Sequence, residues 1–163
     1  GTYTVSITGI FPYFKTCIMP SDNIFIGSTT CGNSLKLTSV ESWGNQQWRY
    51  MLGSFNRARN FRLNTEEAPD LSFVKTLRQT FRNARNFNGN ISNWDVSNVT
   101  DMSYMFTGAK SFNQPLNNWD VSNVTNMSFM FGGSYSYLGA ESFNQSLDNW
   151  DVSNVTGMNS MFR

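Results

Sequence analysis

The chain has 163 residues, enough for one domain with a real core, and its 12 Lys and Arg against 11 Asp and Glu leave a formal charge of +1. With no histidine and only two cysteines, it excludes Ser-His-Asp and Cys-His nucleophilic catalysis, imidazole-bound zinc and a four-thiolate metal site. It also lacks a run of about 18 apolar residues, so no membrane span is expected.

The first 40 residues stand apart from the rest. TYTVSITGIF alternates β-branched and polar residues, which predicts a strand, and clusters of Gly, Pro, Ser and Thr follow. Cys17 and Cys31 both fall here. A disulfide between them would close a loop of roughly 15 residues and contribute about 3 kcal/mol on the chain-entropy account. The expectation is an N-terminal β cap over 1–42, pinned by Cys17–Cys31.

From about residue 43 the chain repeats itself. NWDVSNVT occurs at 93–100, 118–125 and 149–156. The repeat is longer than this octamer: DVSNVTDMSYMFTGAKSFNQPLNNW at 95–119 aligns with DLSFVKTLRQTFRNARNFNGNISNW at 70–94. A degenerate unit at about 43–69 carries Trp48, Met51, Phe55, Ala58 and Phe61 at matching spacings. The unit 120–150 holds a six-residue insertion around GGSYSYLGAE, and 151–163 is truncated, as in a chain that continues.

A period of about 20–29 residues reads as a solenoid. Each unit is too small to bury its own apolar face, so neighbours must bury it together. The expected ladders include Val74/Val99/Val124/Val155, Phe81/Phe106/Phe131/Phe162, Phe87/Phe112/Phe143 and Trp94/Trp119/Trp150. Within a unit, V-x-x-M-x-x-M-F-x-x-A predicts a helix of about two turns, with Thr100, Thr125 and Thr156 as N-caps. L-N-N-W-D-V predicts a short strand. The fold class expected is α/β: a right-handed leucine-rich-repeat-like solenoid of about 25-residue repeats behind an N-terminal β cap.

WDVSNVTDMSYMFTGAKSFNQPL, WDVSNVTNMSFMF and FNQSLDNWDVSNVTGMNSMF resemble the repeat of BspA-like bacterial surface proteins and mycoplasma lipoproteins, a domain of unknown function. The resemblance covers roughly 43–163 and is strongest from residue 86 onward. It departs at 44–85, which is Arg-rich, and at the insertion. It implies a leucine-rich-repeat-like solenoid, an extracellular or cell-surface location and a recognition or adhesion role. It brings no catalytic residues and no cofactor.

Charge is divided along the chain. Residues 49–85 hold eight cations against three acids, a net of +5, and residues 86–162 hold one cation against six acids, a net of −5. Arg59, Arg85 and Lys110 share one position in three successive units and should form a basic stripe, with Arg57 and Arg82 close in sequence. The partner this suggests is an acidic glycan, a teichoic-type polymer or an acidic protein. Tyr135 and Tyr137 in the insertion are candidate contacts, because insertions in solenoids map to loops on one face. Asp70, Asp95, Asp120 and Asp151 also share one position. Stacked carboxylates could hold calcium, but the simpler account is that each Asp accepts hydrogen bonds in its own turn, so no metal is expected. Nucleic acid is not the expected partner, since the aromatic residues are committed to the core. The function expected is non-enzymatic binding at a cell surface. The alternative is a structural spacer or self-assembling stalk, in which the opposite poles of neighbouring molecules attract.

Overall fold

The structure, a computed structural model, describes residues 37–45, 47–133 and 138–163. The cap expected over 1–42, apart from its last residues, lies outside the described residues, as do Cys17 and Cys31.

Among the described residues there is no α-helix. The two strands are β1 (Ser39–Val40) and β2 (Arg62–Leu63), paired in parallel with Ser39 opposite Arg62 and Val40 opposite Leu63. Beyond them, each repeat forms one irregular coil laid parallel on the next. Single parallel bridges join Thr76 to Asp101, Asp101 to Asn126 and Asn126 to Gly157. The last bridge spans the insertion and keeps the register. The Ala140 N–H donates to the Phe131 carbonyl (2.7 Å), closing the inserted loop at its base.

The segment read as two helical turns is built differently. Along 102–109 the backbone N–H groups alternate in direction. Those of Met102, Tyr104 and Phe106 donate to the Asn126, Ser128 and Met130 carbonyls of the next coil, at 2.9, 3.0 and 2.8 Å. Those of Met105, Thr107 and Ala109 donate back to the Met102, Tyr104 and Phe106 carbonyls, at 3.2, 3.3 and 2.9 Å. The result is a chain of overlapping four-residue turns, with Tyr104 (φ 58°) and Gly108 (φ 75°) in the left-handed region. Spacing explains why. Phe81, Phe106 and Phe131 stack at 5.7 and 5.4 Å between centroids, whereas a helix with its side chains is about 10–12 Å across. Helices cannot lie one per coil at that separation. The threonines follow the same logic. Thr100, Thr125 and Thr156 do not cap helices; their hydroxyls donate to the Lys75, Thr100 and Thr125 carbonyls of the preceding coil, at 3.1, 3.1 and 3.2 Å. L-N-N-W-D-V is likewise a turn, with the Trp119 N–H donating to the Leu116 carbonyl (3.0 Å).

Two rows of phenylalanine form the centre of the stack. Phe55, Phe81, Phe106, Phe131 and Phe162 make one row; Phe61, Phe87, Phe112 and Phe143 make the other. Within a coil the two rings lie 4.0–4.3 Å apart and nearly parallel. Phe81, Phe87, Phe106 and Phe112 are fully buried, and burying each contributes about 2–3 kcal/mol. Val74, Val99 and Val124 flank them, also fully buried. Trp119 and Trp150 donate their indole N–H to the Ile91 and Leu116 carbonyls of the coil before, at 3.1 and 2.8 Å. Trp43 packs edge-on against Trp48, Phe55 and Trp94 at the other end.

Candidate functional site

The residues Arg59, Arg85, Lys110 and Glu141 occupy one rung position in four successive coils. The backbone proves the register: the N–H groups of Asn86, Ser111 and Ser142 donate to the Arg59, Arg85 and Lys110 carbonyls, each at 3.1 Å. Neighbouring side chains in this row reach one another, since Lys110 Nζ lies 3.4 Å from Glu141 Oε2, both partly exposed. Arg59 and Arg85 are exposed. Like charges directly opposite one another destabilise a ladder, so three cations in succession cost the fold something, and only Lys110 has a counter-charge within the row, Glu141.

Beside this row the surface is polar and uncharged. Asn86 Nδ2 donates to Asn60 Oδ1 (3.0 Å). Asn88 Oδ1 accepts from the Asn113 N–H and from Gln114 Nε2, at 2.9 and 3.0 Å. Asn113 Oδ1 accepts in the same way from Asn144 and Gln145, at 2.9 and 3.0 Å. These amides staple coil to coil, so their positions are held rather than free to rotate.

The aspartate row has a different basis. Ser72, Ser97, Ser122 and Ser153 donate their backbone N–H to Asp70, Asp95, Asp120 and Asp151 Oδ1, each at 3.0 Å. Each carboxylate therefore closes its own turn. Hydrogen bonds from the Ser122 hydroxyl and N–H hold the Asp120 carboxyl below its ordinary range, with Asp151 opposing slightly. Asp70 is lowered by Ser72 and Asp151 by Ser153 in the same manner. A group with a lowered folded-state pKa stabilises above its unfolded value, and that stability is lost as pH falls through the folded value. Urea midpoints should therefore hold from neutrality down to about pH 4 and fall below it. The Asp120→Asn/Asp151→Asn double variant, which keeps the acceptor oxygens, should show a shallower fall. An identical acid limb would rule these carboxylates out. No group of three or more His, Cys, Asp and Glu side chains is placed to hold a metal among the described residues.

Of the other candidates, Arg57 and Arg82 are half-buried and lie outside the cation row. Arg57 is in the left-handed region (φ 63°), at the position filled by Asn83 and Gly108 in the next coils. The Arg82 guanidinium sits 5.7 Å from the centroid of Tyr104. Tyr135 and Tyr137 lie outside the described residues. Next to their loop is a cleft of about 800 Å³ lined by Phe129, Phe131, Leu138, Glu141 and Arg163 among others.

One feature was not anticipated. Tyr104 and Phe129 stack at 4.8 Å, half-buried, both in the left-handed region that bulky residues rarely adopt. The Arg78 guanidinium joins that of Arg82 over Tyr104, at 5.6 Å. Gly53, Gln79, Tyr104, Phe129 and Ser160 are equivalent positions, all with positive φ, but their dissimilar residues carry no sequence signal of it.

The model of a family described as Mycoplasma protein of unknown function, DUF285, matches residues 49–163. No curated protein and no solved structure matches the chain. No helix among the described residues is long and apolar enough to cross a membrane.

Proposed function

The chain belongs to this family, and from that starting point we propose that it is a non-enzymatic recognition module of the BspA-like kind. On this reading it is a leucine-rich-repeat-like solenoid at a cell surface, and its partner is an anionic glycan or an acidic protein. The observation that carries the reading is the contrast between the two charged rows. Each aspartate has a local reason to be where it is, a turn it closes. Arg59, Arg85 and Lys110 close no turn, Lys110 pairing only with the partly exposed Glu141, and an anionic partner would relieve the repulsion along the row.

The test is direct. The Arg59→Glu/Arg85→Glu/Lys110→Glu variant should keep the wild-type unfolding midpoint within about 1 kcal/mol, because exposed charges contribute little to stability. It should lose binding to acidic glycans and acidic proteins, and wild-type binding should weaken as salt rises. Salt-insensitive binding that survives the triple reversal would sink the reading.

A second reading, a self-assembling spacer, has one observation in its favour. Residues 49–85 carry a net charge of +5 and residues 86–162 a net of −5, so neighbouring molecules can attract pole to pole. Sedimentation across a concentration series separates the two, since only the spacer requires association without a ligand.

A further inference from the structure

We infer that Asn88–Gly89 is a self-modification site, where the Asn88 side chain loses its amide to attack by the Gly89 nitrogen and becomes a carboxylate beside the cation row. The inference goes beyond the partner proposed above and does not depend on it.

Four observations carry it. Asn88–Gly89 is the one Asn-Gly pair in the sequence, and Asn88 is exposed to water. Among the described residues the Gly89 N–H donates no hydrogen bond, so no acceptor holds the nitrogen away from the side chain. Asn88 Oδ1 already accepts from the Asn113 N–H and from Gln114 Nε2, at 2.9 and 3.0 Å. Those donors face the oxygen that gathers negative charge when its carbon is attacked. The fourth observation is an internal comparison. Asn113 repeats the arrangement one coil on, its Oδ1 accepting from the Asn144 N–H and Gln145 Nε2 at 2.9 and 3.0 Å. Gln114 follows it, however, with a side chain pinned to Asn88. Only glycine reaches the ring-closing backbone conformations freely.

In the first step the Gly89 nitrogen bonds to Asn88 Cγ and gives up its proton to solvent. The Cγ–Nδ2 bond breaks, and Nδ2 takes a proton and leaves as ammonia. Water then reopens the five-membered imide at either carbonyl carbon. Addition at Cγ gives aspartate, which keeps both hydrogen bonds from the next coil and strengthens them by its charge. Addition at the main-chain carbonyl gives isoaspartate, whose main chain is one atom longer. That product displaces Gly89, which has no room to move. A Cβ there would lie 2.8 Å from Phe87 Cε2 and 3.1 Å from Leu63.

The experiment is incubation of the folded chain in mildly alkaline buffer, with peptide mapping by mass spectrometry at intervals. Enzymatic methylation of isoaspartate separates the two products. Asn88 should convert about tenfold faster than Asn113. Asn88→Asp should keep the wild-type urea midpoint, and the isoaspartate fraction should unfold at lower urea. Gly89→Ala is confounded by the contacts just given, so the decisive variant is Gln114→Gly, which should raise the Asn113 rate toward that of Asn88. Equal rates at Asn88 and Asn113 in the wild type would overturn the assignment. So would conversion of Asn88 only in the urea-unfolded chain, or an Asn113 left as slow by Gln114→Gly as in the wild type.

Discussion

Replacing Phe106 by Ala should cost about 3–5 kcal/mol, the usual loss for a fully buried aromatic ring. Phe106 lies in the middle of its row, with a phenylalanine on either side. It lies 5.7 Å from Phe81, 5.4 Å from Phe131 and 4.0 Å from Phe112, and none of its surface is exposed. The coils above and below are joined by backbone hydrogen bonds and cannot close the gap one side alone would leave. The cavity therefore persists, and its cost adds to the lost transfer energy. Urea unfolding would measure it. Phe162→Ala is the comparison: Phe162 is 64 % exposed and touches the row on one side only, so its removal should cost less than about 1 kcal/mol. Equal losses at the two positions would mean that the rings do not work as a continuous stack.

Gly132→Ala should destabilise by the upper part of the range of about 1–3 kcal/mol seen for overpacked interiors. A Cβ there would overlap the Ser160 carbonyl oxygen and lie 3.2 Å from the Arg163 nitrogen. Both are backbone atoms of the next coil, so no side chain can swing aside. That coil would have to lift, weakening the bond from the Phe131 N–H to the Met161 carbonyl (2.9 Å). Gly53→Ala is the contrast. The nearest heavy atom to its Cβ would be 3.9 Å away, so the penalty is only the left-handed backbone (φ 61°), about 1 kcal/mol. Hydrogen exchange should show the Gly132→Ala loss concentrated in amides bonded to 157–163. A uniform loss across the stack would contradict the steric account.

The cation row was legible in the letters because stacking preserves position within the period. Arg59, Arg85 and Lys110 lie 26 and 25 residues apart, and the coils are stacked at those intervals. The pair Tyr104 and Phe129 was hidden for the opposite reason. Aromatic residues carry no mark of a left-handed backbone, and each pays about 1–2 kcal/mol for it. Mutual stacking and the two guanidinium contacts on Tyr104 offset part of that. Arg82 shows the same limit: its charge is plain in the sequence, but its place over Tyr104 depends on the next coil.

The sequence alone determined the period and the burial pattern, because a repeated apolar letter needs only a one-dimensional register to find its copy. It could not determine the local conformation. Apolar residues three apart, such as Val99, Met102 and Met105, suit a helix and a chain of four-residue turns equally well. Tertiary structure decided between them through the separation of the coils. At 5.4–5.8 Å between rungs a helix of about 10 Å does not fit, so alternate N–H groups turn outward and bond to the neighbouring coil.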